Sequence, residues 1–195
     1  MDPINILVGI TLLVSIAANL SAAKSAVKQT VIKFELKPKT WLQKIPPNIA
    51  ALILILQILA IFGVGTLDVS EMRGYLTERI IGLCIFILFA YLQTKSYKYL
   101  GNNYTQDIGI LKNHQLVSKG FYKYVRHPQY ISQVLSDLGA GIALLGYIVV
   151  PMVILVELPL MILRAKREES LLANHFKNEY DQYKKKTGFI LPFIG

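Results

Sequence analysis

Long stretches without a charged side chain alternate with short basic stretches along the first half of the chain. Three uncharged runs of 21, 23 and 15 residues lie between residues 2 and 24, 44 and 68, and 79 and 95. A helix needs about 20 mostly apolar residues to cross the hydrocarbon core, with a lower limit of about 17, and flanking charged side chains reach back to the interface. The pattern therefore predicts three transmembrane helices. The first is expected over residues 4–23, and the third begins near Glu78.

The first run is expected to remain in the protein as a span. A secretory signal peptide begins with a positively charged region, and no Lys or Arg precedes this run. The small residues at its end therefore do not predict cleavage.

The second half of the chain holds a longer apolar region that glycine and proline interrupt. Residues 127–163 contain Asp137 and Glu157 as their only carboxylates and no Lys or Arg. One helix of this length would extend about 55 Å, whereas the hydrocarbon core is about 30 Å thick. We therefore predict a hairpin of two helices that turns between Gly146 and Pro151, with the last helix continuing into solvent as far as Tyr183.

These patterns predict an all-α, multi-pass integral membrane protein with about five transmembrane helices. Residues 1–95 are expected to form three N-terminal transmembrane helices. Residues 96–195 are expected to contain a polar loop, the hairpin of the last two helices and a C-terminal helix. The composition agrees, because 53% of the residues are apolar and only 17% are charged.

The net charge of +9 is concentrated in alternate connections. Residues 24–44 and 95–126 each carry +5 and residues 164–186 carry +3, whereas residues 68–79 carry −1. This is the positive-inside pattern of a membrane protein, and it predicts the lipid bilayer, not a nucleic acid, as the partner. It places the N-terminus outside and the C-terminus in the cytosol, either in a prokaryotic cell membrane or in the endoplasmic reticulum of a eukaryote.

The candidate chemistry begins in the block His114–Tyr130, HQLVSKGFYKYVRHPQY. Gly120 permits a tight turn, and Pro128 predicts a helix start whose free N–H groups attract anions. Tyr122, Tyr124 and Tyr130 offer ring faces to a planar base or a cation. The block therefore suits a ligand, and the alternative is a basic loop whose aromatic side chains lie among lipid headgroups.

No metal site or disulfide is expected. The block has two His but no Cys or carboxylate, and metal sites need two to four ligands at fixed spacing. The single Cys, Cys84, lies in the third apolar run, where it is expected to fill space in a helix. Gln57 is likewise expected to hydrogen-bond a neighbouring helix.

The last helix carries a second group of polar residues. Arg164 and Glu168 are four residues apart, so they lie on one face of the helix. They form either a surface ion pair or a face that holds an anionic and a cationic group side by side. Lys166, Arg167 and Glu169 are expected to face solvent, while His175 and Tyr180 are expected to pack at the helix end.

The block resembles the signature of the isoprenylcysteine carboxyl methyltransferase family and its phospholipid methyltransferase relatives, which runs His-x-Leu-Val, Gly-x-Tyr and Arg-His-Pro-x-Tyr. The later segments REESLLANHF, NEYDQYKKK and LPFIG resemble the same family, so the resemblance covers about residues 100–195. The closing segments favour the isoprenylcysteine branch. Two positions depart from the pattern, because Ser132 and Lys177 stand where the family commonly has Gly.

The resemblance implies an enzyme that uses S-adenosyl-L-methionine, with S-adenosyl-L-homocysteine as product, to methylate the carboxylate of an isoprenylated cysteine at the C-terminus of a protein. Arg164, facing the substrate carboxylate, and Glu168 are the implied catalytic residues. Whether residues 106–112 contribute to the site is left open. The implied cofactor-binding residues are His114, Gln115, Leu116, Val117, Tyr122, His127, Pro128, Gln129, Tyr130 and Glu168.

The residues suit this reaction. A carboxylate is already ionised at neutral pH, so its methylation requires alignment and desolvation and no general base. The sequence also lacks the glycine-rich turn of soluble dinucleotide-binding folds, so a cofactor must be held in another way. Two alternatives remain: a phosphatidylethanolamine-type phospholipid N-methyltransferase and a non-catalytic small membrane protein.

Overall fold

The computed structural model describes residues 2–30, 34–68, 73–192 and 194, and the side chains of residues 21–30 and 73 are not described. Its helices are α1 (Pro3–Thr30), α2 (Ile45–Ile61), α3 (Leu76–Leu100) and α4 (Pro128–Ala143). A continuous helical course then comprises α5 (Val149–Met152), a π-helix (Val153–Glu157) and α6 (Leu158–Phe176), which α7 (Asn178–Lys186) follows. The other described elements are two short antiparallel strands, β1 (Phe34–Leu36) and β2 (Ile110–Leu111), and four 3₁₀ helices (Trp41–Gln43, Arg73–Tyr75, Gly101–Asn103 and Gly120–Lys123).

The fold is the predicted multi-pass helical membrane protein. In the described part of the chain, three helical segments are long and apolar enough to cross a membrane: Pro3–Leu20, Trp41–Ile61 and Leu76–Asn103. They coincide with the three predicted N-terminal spans. Large apolar side chains on their outer faces, such as Leu13 and Phe62, are about 70% exposed, as lipid contact requires. The total of five spans stays a prediction.

The chain reverses direction between α4 and α5, as predicted. The turn uses a positive φ of 51° at Leu145, and the N–H of Gly146 donates to the Gly141 carbonyl over 2.8 Å. The two arms are antiparallel. Contacts between the arms join residues at increasing distance from the turn. Gly141 packs on Val149 beside the turn, Gln133 donates a hydrogen bond to Glu157 farther away, and Arg164 donates one to Tyr130 at the open end of the hairpin.

A glycine contact joins α3 to α4. A Cβ atom added to Gly139 would lie 2.5 Å from the backbone nitrogen of Phe86, and one added to Gly82 would lie 2.6 Å from that of Ala143. The two backbones therefore touch, which is the packing that small residues permit between membrane helices.

A buried arginine ties the first helix to the bundle. The Nη1 and Nη2 atoms of Arg79 on α3 donate to the two carboxylate oxygens of Asp2 over 3.0 and 2.7 Å, and Nη2 also donates to Asn5. Arg79 Nε reaches the Ala143 carbonyl at the end of α4. The start of α1, the start of α3 and the hairpin turn therefore meet at one end of the molecule, as the charge pattern predicts for connections on one side of the membrane.

The opposite end holds the strands, the block His114–Tyr130 and the C-terminal residues. Backbone bonds join this block to the chain end: Arg126 N–H donates to the Gly188 carbonyl over 2.9 Å, and Gly188 N–H donates to Tyr124 over 3.0 Å. Phe189 packs edge-on against the His127 ring. Leu191 and Ile194 remain exposed, and Phe193 lies outside the described residues.

Candidate functional site

Three neighbouring cavities open at or near this end of the bundle. The first, the loop cleft, lies between the block His114–Tyr130 and α6 and encloses about 710 Å³, including its solvent-open part. The second, the arginine cavity, encloses about 590 Å³ around Arg164. The third, the helix cavity, encloses about 1060 Å³ between α1, α2, α3 and α4.

The structure brings most of the residues predicted for the site together. Eight of them line the loop cleft: His114, Gln115, Leu116, Val117, Tyr122, His127, Gln129 and Glu168. Tyr130 and Arg164 line the arginine cavity, and Gln129 lines both. Pro128 is buried in the first turn of α4 and lines none of the three cavities.

The turn at Gly120 sets the position of Tyr122. Gly120 has a φ of 61°, and an added Cβ atom would lie 2.5 Å from the Tyr99 ring, so both the conformation and the space require glycine. The chain then enters a 3₁₀ turn that points Tyr122 into the protein. The Tyr183 hydroxyl fixes this turn by donating to the Tyr122 carbonyl over 2.7 Å.

Glu168 lies among aromatic rings at the wall of the loop cleft. Its side chain is 22% exposed, and its Oε2 atom lies 3.6 Å from His127 Nδ1. The His127 ring stacks on Tyr130 at a centroid distance of 5.6 Å with an angle of only 7° between the planes. A carboxylate flanked by ring faces is an environment that favours a cationic ligand.

Arg164 is held at the centre of the arginine cavity by three elements. Its Nε donates to the Tyr130 hydroxyl over 3.0 Å, Nη1 to the Leu42 carbonyl over 2.8 Å, and Nη2 to the Gln106 carbonyl over 2.5 Å. A guanidinium carries five N–H groups, so these bonds leave two for a ligand. No ion pair within 4.0 Å joins the described side chains of Arg164 and Glu168, although they share a helix face.

Glu169 was expected to face solvent, and that expectation is wrong. Its side chain is only 12% exposed, because its Oε1 atom pairs with Arg126 Nε at 2.5 Å and lies 3.5 Å from His127 Nε2. Burial raises the pKa of Glu169, but the interactions with His127 and Arg126 outweigh burial and lower it to about 2. Arg126 also reaches the Thr187 carbonyl, so this pair anchors the C-terminal segment beneath the site.

His114 closes the other side of the loop cleft. Its Nδ1 atom accepts a hydrogen bond from the Leu111 N–H over 3.4 Å, and its ring meets Phe176 edge-on at 5.8 Å. Burial, together with the nearby His175, lowers the pKa of His114 below its usual 6.5. The ring is therefore neutral at pH 7 and does not repel a positively charged ligand.

The loop cleft fits the cofactor that the resemblance implies. Two buried atoms at its wall, Tyr122 Oη and Gln129 Oε1, have no hydrogen-bond partner within the described residues. Glu168 and Gln129 supply acceptors for the amino and ribose hydroxyl groups of S-adenosyl-L-methionine, and Tyr122 supplies a ring face. Among the described residues, no group of three or more His, Cys, Asp or Glu side chains is arranged to hold a metal ion.

Several residues of the site were not predicted. The Leu42 and Gln106 carbonyls bind Arg164, and Gly109 lines the loop cleft, so residues 106–112 do form part of the wall. Backbone carbonyls carry no signal in a sequence. Tyr97 and Tyr104 line the arginine cavity with ring centroids 4.7 Å apart, and only the packing of α3 against the loop reveals their position.

The helix cavity adjoins the arginine cavity. Ala50, Tyr97, Tyr104, Gln106 and Gln133 line both. From there the helix cavity extends between the helices towards Leu12, Leu54 and Phe86. Arg164 therefore stands between a polar cleft at the loop end and a deeper space among the apolar helices.

Comparison with known proteins gives a consistent result. Residues 80–174 match the profile of the isoprenylcysteine carboxyl methyltransferase family. The chain is 31% identical over 116 residues to a protein-S-isoprenylcysteine O-methyltransferase of Tribolium castaneum, a match that covers 58% of this chain and 41% of that protein. It is 30% identical over 122 residues to the enzyme of the same name from Schizosaccharomyces pombe, covering 62% and 50%. The chain thus spans about half the length of these curated relatives or less.

The fold agrees with this match. The solved structure of a eukaryotic intramembrane Ras methyltransferase, an isoprenylcysteine carboxyl methyltransferase, superposes with a TM-score of 0.68 at 21% sequence identity. The superposition covers all of this chain and 69% of that one. At this identity the similarity establishes the shared fold.

Proposed function

We propose that this chain, whose residues 80–174 match the profile of the isoprenylcysteine carboxyl methyltransferase family, transfers a methyl group from S-adenosyl-L-methionine to the C-terminal carboxylate of an isoprenylated cysteine at the membrane. The observation that carries this proposal is the position of Arg164, between the loop cleft and the helix cavity. The acceptor and the donor approach from opposite sides of this residue.

The two free N–H groups of Arg164 bind the acceptor carboxylate. Because the other three are bonded to Tyr130, Leu42 and Gln106, the guanidinium is fixed before the acceptor arrives. Little orientation remains to be lost on binding, and the carboxylate oxygen is directed towards the loop cleft. Fixing a reactant in this way is the main source of rate for a displacement that needs no proton transfer.

The loop cleft holds the methyl donor. S-adenosyl-L-methionine supplies a methyl group on a positively charged sulfur and leaves as the neutral thioether S-adenosyl-L-homocysteine. Glu168 would accept hydrogen bonds from its amino or ribose groups. Other polar groups of the donor would pair with Gln129 Oε1 and Tyr122 Oη, which have no partner among the described residues. The stacked rings of His127 and Tyr130 exclude water from the junction of the two cavities.

The helix cavity accepts the lipid chain of the acceptor. Its walls are formed by helices that are long enough to cross the bilayer, so a prenyl chain enters from the lipid without crossing water. The carboxylate then lies at Arg164, at the end of the cavity nearest the basic loops. The same arrangement keeps the protein that carries the prenyl group on the side of those loops.

The proposed topology places the N-terminus outside and the loop cleft and C-terminus in the cytosol. It is supported by the clustering of the residues near Asp2, Arg79 and the hairpin turn at the end opposite the basic loops. A single cysteine introduced at Lys185 of a Cys84→Ser chain would react with an impermeant maleimide only from the cytosolic side. Labelling of the same residue from the outside would show that the protein has the opposite orientation in the membrane.

The function is tested by offering two acceptors to the purified protein in lipid nanodiscs with methyl-labelled S-adenosyl-L-methionine. We expect label in a base-labile methyl ester of N-acetyl-S-farnesylcysteine and none in phosphatidylethanolamine. Label in the phospholipid alone would identify the N-methyltransferase alternative. Absence of cofactor binding in equilibrium dialysis would favour the non-catalytic alternative.

A further inference from the structure

A polar layer lies inside the bundle, two helical turns away from Arg164. The layer consists of Gln57 on α2, Asp137 on α4 and Glu157 at the end of the π-helix. Each of them is seven residues from a residue that lines the arginine cavity on the same helix: Ala50, Tyr130 and Arg164. In all three helices the shift is away from the block His114–Tyr130. At 1.5 Å per residue, this layer is roughly 10 Å deeper than the arginine layer. The methyl-transfer reaction described above uses none of its three members.

Hydrogen bonds connect the members of this layer. Gln57 Nε2 donates to Asp137 Oδ1 over 2.9 Å, and Gln133 Nε2 donates to Glu157 Oε1 over 2.8 Å. Gln133 and Asp137 are four residues apart on α4, so the two bonds lie on the same face of that helix.

Two acceptors of the layer, Gln57 Oε1 and Glu157 Oε2, have no hydrogen-bond partner among the described residues. Gln57 is fully buried, and its Oε1 atom receives no hydrogen bond from the described residues. Gln57 and Asp137 line the helix cavity, and Asp137 keeps part of its surface open. An unpartnered acceptor among apolar helices is unfavourable by several kcal/mol unless a donor reaches it.

The backbone beside the layer is also irregular. Glu157 is the last residue of the π-helix Val153–Glu157, which lies next to Pro159, a residue with no N–H to donate to the preceding turn. Glu157, at the end of this wide turn, faces Gln133 on α4. π-helical turns within α-helices are often found at functional sites.

We propose that Gln57 and Asp137 form a specificity-determining subsite for a hydroxyl group on the lipid chain of the acceptor, roughly 10 Å from its carboxylate. The unpartnered Gln57 oxygen accepts a hydrogen bond from the hydroxyl group, and the Asp137 carboxyl group, in its neutral form, donates one to the hydroxyl oxygen. A neutral hydroxyl suits the site better than an ammonium group, because a cation within apolar helices is costly. This inference rests on the proposed function for the position of the carboxylate.

The experiment compares two S-alkyl N-acetylcysteines of equal chain length, of which one carries a hydroxyl group about 10 Å from the carboxylate. One additional hydrogen bond predicts a KM for the hydroxylated acceptor about three- to tenfold lower in the natural protein. Gln57→Leu and Asp137→Leu lose this preference while S-adenosyl-L-methionine affinity is unchanged. Asp137→Asn retains it, and Ser15→Ala, a change in the same cavity wall, has no effect on it.

A second readout separates this inference from the proposed function. The thermal unfolding midpoint is measured with a long-chain alcohol and with the matching alkane, neither of which has a carboxylate. A midpoint that rises more with the alcohol, and only when Gln57 is present, supports the subsite even where no acceptor is methylated. Methylation of both acceptors with equal KM, together with equal midpoints, would overturn the subsite and leave the methyltransferase intact.

Discussion

Arg126 Nε and Glu169 Oε1 form an ion pair of 2.5 Å whose side chains are 2% and 12% exposed. Arg126 belongs to the block His114–Tyr130, and Glu169 belongs to α6. The ion pair therefore connects the two walls of the loop cleft. His127 lies against the same carboxylate through Nε2. The geometry of the loop cleft therefore depends on a buried charge pair one residue away from Glu168.

Removal of one partner of this pair should destabilise the protein. We expect Glu169→Ala to lower the free energy of unfolding by about 3–5 kcal/mol, because Arg126 would remain buried without its counter-charge. Glu179→Ala, at an exposed position of α7, serves as the control and should change stability by less than about 0.5 kcal/mol. Denaturant or thermal unfolding in detergent measures both. Equal stabilities of the two variants would contradict the role of the pair.

The same pair predicts a pH dependence. The pKa of Glu169 is about 2 in the folded protein, below its ordinary value of 4.5, so its carboxylate stabilises the fold above pH 4.5. This stabilisation is lost as the pH falls from 4.5 towards 2, because the unfolded chain takes up the proton first. The unfolding midpoint of the natural protein should therefore drop more steeply over this interval than that of Glu169→Gln. Parallel curves would show that Glu169 does not titrate in this way.

Lys177 separates α6 from α7 with a φ of 47° and a ψ of −122°, a conformation that glycine adopts far more readily than lysine. We expect Lys177→Gly to raise the free energy of unfolding by about 1 kcal/mol through relief of backbone strain. Lys166→Gly, inside α6, should lower it by about 1 kcal/mol, because glycine weakens a helix interior. Thermal unfolding of the two variants should move in opposite directions, and a loss of stability in both would refute the strain.

The contact of α3 with α4 should not tolerate a methyl group. A Cβ atom at Gly139 meets the Phe86 backbone at 2.5 Å, whereas one at Gly9 meets only the end of the Ile61 side chain at 3.6 Å. Gly139→Ala should therefore lower the free energy of unfolding by about 1–3 kcal/mol, and Gly9→Ala should be nearly neutral. Thermal unfolding of the two variants tests the packing. Equal losses of stability in both would show that α3 and α4 are not in backbone contact at Gly139.

Arg164 and Glu168 should affect different kinetic constants. Arg164→Lys should lower kcat/KM for the acceptor about 100-fold. An ammonium group cannot form bidentate hydrogen bonds to the acceptor carboxylate while it also binds the Leu42 and Gln106 carbonyls. The Kd for S-adenosyl-L-methionine should stay within about twofold. Arg167→Lys, three residues farther along α6 and exposed, is the matched control. Undiminished turnover in Arg164→Lys would exclude the role of the guanidinium.

Glu168→Gln should act on the donor instead. Loss of a charge-assisted hydrogen bond predicts a Kd for S-adenosyl-L-methionine roughly 10–100-fold higher, measured by equilibrium dialysis. At saturating donor, the KM for the acceptor should change little. A variant with normal donor affinity but weakened acceptor binding would require the roles of Glu168 and Arg164 to be exchanged.

Local patterns in the sequence were sufficient for the helical membrane fold and for most of the site. Uncharged runs predict the three N-terminal spans because their length has to match the bilayer. The positions of Gly120 and Pro128 predict a turn and a helix start because they limit the backbone locally. Resemblance to a known family added the chemistry of His114, Glu168 and Arg164, and the structure brings these residues to adjoining cavities.

The partners of each polar group were decided only by the tertiary structure. Spacing placed Arg164 and Glu168 on one helix face, but it did not predict that the arginine bonds to two backbone carbonyls, or that Glu169 turns inward to Arg126. Helical periodicity also did not connect Gln57 to Asp137 across 80 residues. The reason is physical: the length of an apolar run and the backbone preference of a residue depend on its near neighbours, whereas burial and hydrogen bonding of a side chain depend on which helices pack against it.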